Sequence, residues 1–170
     1  MSELSDFNQA PVDTLRPHLL SLTAVDAWAD GLLAARPYDD LDAVLATSDA
    51  LVAGLDETQI DAALSGHPRI GERAGGKDEE SAARSAREQA GMSQADTHVK
   101  EAIARGNVDY EERFGRIYLV AAAGRSADEL LSLLRERLRN DPVTELEVVR
   151  GELARISRIR LSNELRPEDR

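Results

Sequence analysis

The chain has 170 residues, 42% hydrophobic, 31% charged and only 4% aromatic, enough to bury a core of Leu, Ala, Val and Ile without staples. A formal net charge of -11 excludes the basic footprint that non-specific binding to nucleic acid or an anionic membrane requires. Zero cysteine removes disulfides, thiolate nucleophiles and Cys-based zinc sites together, and fits a reducing cytoplasm.

The N-terminus, Met1-Ser2-Glu3-Leu4, is acidic and lacks an apolar run, so no signal peptide is expected. No stretch approaches the length of a membrane span. Thr23-Ala24-Val25-Asp26 opens a run in which Val25, Trp28, Ala29 and Leu32 recur at helical spacing. Pro37 closes it, and Asp39 or Asp40 caps the next helix, which carries Leu41, Val44, Leu45 and Leu51. Asp56-Glu57-Thr58-Gln59 reads as a capping box for a short helix ended by Gly66. His67 precedes Pro68 and is therefore biased out of helical torsions onto a bend.

Gly71 to Asp78, with Gly75-Gly76-Lys77, reads as a loop beside His67, a candidate lid. A small-residue helix is predicted from about Glu79 to Met92 and another from about Ser93 to Arg105, with Asn107 capping a third that holds Tyr110 and Phe114. The apolar run Ile117 to Ala123 is either buried helix or a short extended piece. Ser126-Ala127-Asp128-Glu129 is a second capping box, and Asp141-Pro142 starts a last helix that should run to about Leu161. The pattern predicts an all-α, single-domain helical bundle of about seven to nine helices, spanning 1–161, with a charged, frayed tail at 162–170.

Two placements stand out. On the last helix Leu146, Val149, Leu153 and Ile156 form an apolar stripe, and Arg160 falls near its middle. Either Arg160 snorkels to water at the helix end, or it points into a pocket and grips an anion, for which a guanidinium is the best-shaped side chain. Ser85, Glu88 and Gln89 share one helix face, continued by Ser81 and Met92; they make either a solvated surface, with Arg84 and Arg87, or a cluster of donors, acceptors and a proton-handling group. Ala82, Ala83, Ala86 and Ala90 on the other sides would let neighbouring helices approach closely.

His18 reads as a helix-surface residue and His98 as part of a polar helix start, which leaves His67 as either structural or catalytic. No His-Glu-x-x-His motif and no Gly-rich phosphate loop is present. Lys77 and Lys100, the two lysines, lie in a loop and on a charged helix, unlike a buried Schiff-base lysine. What survives elimination is an acid/base site with no metal and no cofactor.

The motifs His67-Pro68, Ser85-Ala86-Arg87-Glu88-Gln89-Ala90-Gly91, Asn107 with Tyr110 and Phe114-Gly115, Gly124, Leu134, Arg137-Leu138, Asn140, Glu145, Glu152, Ile156 and Arg160-Leu161 occur in that order. Over roughly Phe7 to Leu161 the chain resembles the 2-oxo-4-hydroxy-4-carboxy-5-ureidoimidazoline (OHCU) decarboxylases. The resemblance implies an all-helical, homodimeric enzyme of urate breakdown, needing no cofactor, that turns a small anionic ureidoimidazoline into (S)-allantoin. It implies His67 as catalytic acid/base with Glu88 beside it. Substrate contacts are implied for Pro68, Ser85, Gln89 and Arg160, and for the main chain of Tyr118, Leu119, Val120, Ala121 and Ala122. The chain departs from the family at Arg116-Ile117, where many relatives carry an aromatic-proline pair, and in the charge-rich Arg69-Ile70-Gly71-Glu72-Arg73. There Arg69 and Arg73 either steer an anion or serve the surface. The competing class is a non-catalytic helical module that binds an acidic metabolite or a partner helix.

Overall fold

The computed structural model describes residues 4–72 and 79–165. Among them are ten helices and no strand, more helices than expected but all-α. The chain divides into two compact units: one is built from the chain up to Gly66 and from Leu153 onward, the other from His67–Glu152.

The first unit holds α1 (Leu4–Gln9), α2 (Val12–Leu22), α3 (Asp26–Ala34), α4 (Leu41–Ala53) and α5 (Glu57–Leu64); α3 packs against α2 and α4 and carries Trp28, which is 0% exposed. Its indole N–H donates to Ser48 Oγ at 3.0 Å, so the large ring is buried without an orphaned donor. The cap at α4 is Asp40, which accepts from Ala43 N at 2.8 Å, and the capping box at α5 is complete. Thr23 closes α2 as its C-cap, its N–H donating to Leu19 O at 3.1 Å, and its hydroxyl meets Ser157 Oγ at 2.9 Å. His18 is half-buried rather than on the open surface, with Nε2 3.0 Å from Glu164 Oε2. Arg160 does not snorkel. It is 7% exposed and donates to the Leu22 carbonyl.

The second unit holds α6 (Glu79–Glu88), α7 (Ala90–Ser93), α8 (Thr97–Phe114) and α9 (Ala127–Arg137), and the last three contribute to a core that includes Ile103, Tyr110, Tyr118, Leu130 and Leu134. The single helix predicted up to Met92 is broken at Gln89. The two helices predicted around Asn107 are one, α8. Asn107 is therefore no cap; it is buried inside α8 and donates from Nδ2 to the Ile70 carbonyl at 3.0 Å. Gly106 beside it lets α9 approach, since a Cβ there would lie 2.5 Å from Leu134 Cδ2.

α10 (Pro142–Leu165) supplies its first part to the second unit and its last part to the first. Asp141 caps it, accepting from Val143 N and Thr144 N at 3.1 and 3.0 Å. It runs past Leu161 because Leu165, 4% exposed, still has a core to pack against. Residues 166–170 of the expected tail and 73–78 of the candidate lid, Arg73 and Lys77 among them, lie outside the described residues. Among those described, no helix is long and apolar enough to cross a membrane.

Candidate active site

The second unit contains every sequence-predicted site residue except Arg160. α5 ends at Leu64, and Gly66 N closes the turn on Ala63 O at 3.2 Å. His67 and Pro68 follow outside any helix, both half-buried, as the pre-proline restriction requires. The chain then turns through Arg69-Ile70-Gly71, with Gly71 at φ +89, a left-handed torsion that glycine adopts freely.

Three side chains fix that turn. Asn107 holds the Ile70 carbonyl, as above. Arg69 forms a fork with Glu111, at 2.5 Å from Nε and 2.8 Å from Nη2, which holds the Glu111 carboxyl below the ordinary carboxylate range. Arg69 thus serves an ion pair. Gln89 grips the turn at two points: Oε1 accepts from Gly71 N at 2.8 Å and Nε2 donates to Arg69 O at 3.3 Å. Both ends of the Gln89 amide are engaged with main chain, and the end of α6 is tied to the loop that carries His67.

On α6, Ser85 is 8% exposed and Glu88 half-buried, one turn apart. Arg84, assigned to a surface by the pattern, is itself buried at 8%, with Glu80 3.5 Å away, while Arg87 is exposed. Ala83, Ala86 and Ala90 are exposed rather than packed under a neighbouring helix. The side chain of Ser81 lies outside the described set.

The run Tyr118 to Ala122 is the extended alternative, neither helix nor strand, and all five residues are at most 5% exposed. Gly115 ends α8 at φ +70 and frees the chain to enter it. A charged network then holds the segment. Arg137, 5% exposed, donates from Nη1 to Leu119 O at 2.6 Å and pairs with the buried Glu145 at 2.6 Å. Glu145 also accepts from Tyr110 Oη and, at 2.8 Å, from Asn140 Nδ2. The Arg137 guanidinium lies 4.9 Å from the Tyr118 ring centroid, a cation–π distance. Farther along, Glu152 Oε2 accepts from Ala121 N at 2.7 Å, with Arg125 Nη1 3.7 Å from that oxygen.

Sequence reasoning gave Arg137, Glu145 and Glu152 no role beyond their place in the pattern. The signal was present for Arg137: it follows Leu130 and Leu134 on the apolar stripe of α9, the same misplaced charge that singled out Arg160. A cleft of about 500 Å³ opens beside the Arg69–Gly71 turn, lined by Met92, Lys100, Asn107 and Glu111 among others. None of the predicted site residues lines it. Among the described residues, no three His, Asp or Glu side chains gather as a metal-ligand group.

The family model for OHCU decarboxylase matches residues 8–162. The chain is 30% identical over 167 residues, 96% of its length, to the uric acid degradation bifunctional protein PucL of Bacillus subtilis. It is 30% identical over 128 residues, 74% of its length, to the uric acid degradation bifunctional protein TTL of Arabidopsis thaliana. A 2-oxo-4-hydroxy-4-carboxy-5-ureidoimidazoline decarboxylase from Amia calva is 33% identical over 75 residues, 44% of the chain. The chain spans 33%, 40% and 43% of the length of these three relatives. The fold is shared with a crystal structure of OHCU decarboxylase in the presence of (S)-allantoin: TM-score 0.73, 22% identity, 86% of this chain and 95% of that one. It is shared also with a crystal structure of (S)-allantoin synthase, at TM-score 0.72 and 16% identity, over 96% of this chain and 54% of that one. With the motifs in order along nearly the whole chain and the same helical fold beneath them, this protein belongs to the OHCU decarboxylase family.

Proposed function

We propose that the chain decarboxylates 2-oxo-4-hydroxy-4-carboxy-5-ureidoimidazoline to (S)-allantoin, with His67 and Glu88 as the proton-handling pair. The observation that carries this reading is the double hydrogen bond of Gln89 to Arg69 and Gly71, which joins the helix of Ser85 and Glu88 to the loop of His67 and Pro68. Two motifs some twenty positions apart thereby share one local framework, as an acid/base pair needs.

Decarboxylation leaves an electron pair that must be delocalised. In this substrate the ring carbon that bears the carboxylate also bears a hydroxyl and adjoins a conjugated imine. As the bond to the carboxylate breaks and carbon dioxide leaves, the pair moves into that imine system, whose ring nitrogen takes up a proton from water. The hydroxyl proton is lost to give a carbonyl, and a proton is placed on the neighbouring ring carbon. His67 and Glu88 engage the hydroxyl and move these protons from one face, which makes a single stereoisomer. Arg160 orients the anion. Pro68, Ser85, Gln89 and the main chain of Tyr118, Leu119, Val120, Ala121 and Ala122 line the substrate. The protein works in the cytoplasm, in keeping with its lack of cysteine, and as a homodimer, which the family resemblance supports.

The test is to supply freshly generated substrate and follow optically active allantoin by circular dichroism. His67→Ala should lower kcat by about 10²–10⁴-fold, the worth of a positioned acid/base, and leave KM nearly unchanged. A variant with near-normal kcat overturns the assignment of His67. A wild-type protein that forms no allantoin overturns the reaction.

A further inference from the structure

We infer that Glu152 and Arg137 are positioning residues that aim the peptide groups on either side of Val120 at the substrate. The inference rests on the reading above, in which Tyr118 to Ala122 lines the substrate. Glu152 takes the Ala121 N–H at 2.7 Å and Arg137 takes the Leu119 carbonyl at 2.6 Å. These atoms belong to the two successive peptide groups that flank Val120. A trans peptide is planar, with its C=O and N–H pointing in opposite directions. Holding Leu119 O therefore turns the Val120 N–H away from Arg137, and holding the Ala121 N–H turns the Val120 C=O away from Glu152.

Val120 is 4% exposed. Among the described residues, its N–H and C=O make no hydrogen bond. Buried main-chain groups are almost always paired, so this donor–acceptor pair points to a ligand that offers an acceptor and a donor side by side. Amide and ureido groups have that pattern, and an aliphatic or purely anionic ligand does not. Behind the two anchors, Arg137 is locked by Glu145 and Tyr118, and the Arg125 guanidinium lies 3.7 Å from the Glu152 carboxylate. Arg137 and Glu145 are 5% and 1% exposed, and charges so deeply buried are weak contributors to stability, whereas a fixed main chain is what a substrate that must be oriented requires.

Two variants separate reach from charge. Glu152→Gln keeps an oxygen at the same distance to accept from Ala121 N–H, and loses the charge. Glu152→Asp keeps the charge and withdraws it by one methylene. E152Q should stay within about threefold of wild type in KM. E152D should raise KM about tenfold or more with a smaller change in kcat, since small misplacements are costly in oriented sites. Melting curves of both should stay close to wild type, which a merely structural role does not combine with a raised KM. The reverse pattern, equal impairment of both, or no effect in E152D overturns the positioning role while wild-type turnover stands. A wild-type protein without turnover overturns the reaction reading and this role with it.

Discussion

Glu145 is 1% exposed and remains in the buried interior because every side of its carboxylate meets a donor: Arg137, Tyr110 and Asn140. Burial pushes the phenols of Tyr110 and Tyr118 above their usual range, so both stay neutral and Tyr110 stays a donor. Arg137 also reaches Tyr110 Oη at 3.2 Å, so the cluster is one unit. Removing one member of a buried ion pair strands the other, at a cost of about 3–5 kcal/mol. Glu145→Ala should therefore destabilise the protein by that amount in urea unfolding. Replacing both partners, as in Arg137→Met with Glu145→Leu, should recover most of it, because no unpaired charge is left. A loss below about 1 kcal/mol in the single variant would put the pair with exposed surface bridges and refute the buried-network account.

Just past the break between α6 and α7, the chain runs hard against the Arg125 turn. A Cβ on Gly91 would lie 2.2 Å from Arg125 O, a main-chain oxygen that cannot swing aside, since Arg125 N is tied to Ala122 O at 3.0 Å. Helix propensity favours Gly→Ala by about 1 kcal/mol, but overpacking typically costs about 1–3 kcal/mol, and the close approach should win. Gly91→Ala is expected to lower the denaturation midpoint, while Gly151→Ala, with open space around it on α10, should raise it slightly. A stabilised Gly91→Ala would contradict the close approach. The contrast also explains what could be read from the chain. The caps at Asp40, Asp56, Ser126 and Asp141 bond to main chain two or three residues on, so local pattern finds them. Asn107 reads as a cap by the same reasoning, yet it serves Ile70 O, 37 residues away. His67, Ser85, Glu88 and Gln89 stand out in the sequence as a set of motif residues. That Gln89 clasps the His67 loop, and that Glu152 holds Ala121, depends on partners that no local spacing encodes. Pro17 lies inside α2, so the usual reading of proline as a helix boundary would have cut that element short.

At the scale of the molecule, pH acts on stability through two opposed effects. The formal charge of -11 means that the first protons taken up on acidification relieve self-repulsion. Against this stand carboxylates that the folded state holds below their ordinary range, and each unit has its own. In the first, Asp30 is lowered by its hydrogen bond from Arg16. In the second, Glu111 is lowered by Arg69, Glu129 by the Ser126 main chain at the start of α9, and Asp141 by Thr144 at the start of α10. A carboxylate with a depressed folded pKa contributes its full stabilisation above its unfolded pKa and loses it as pH falls through the folded value. Urea midpoints should therefore be level or rise slightly from pH 7 to about 5, then fall steadily below about 4.5 as these four groups take up protons. Glu111→Gln has no proton to gain at that site, so its acid limb should be shallower than that of the wild type, and its midpoint at pH 7 lower. Undiminished stability at about pH 3, or an acid limb in Glu111→Gln as steep as the wild type's, would show that repulsion rather than these paired carboxylates governs the response. The expected order has a physical basis: the excess negative charge is spread over the exposed surface and screened within about 10 Å, whereas each of the four carboxylates accepts charge-assisted hydrogen bonds that weaken on protonation.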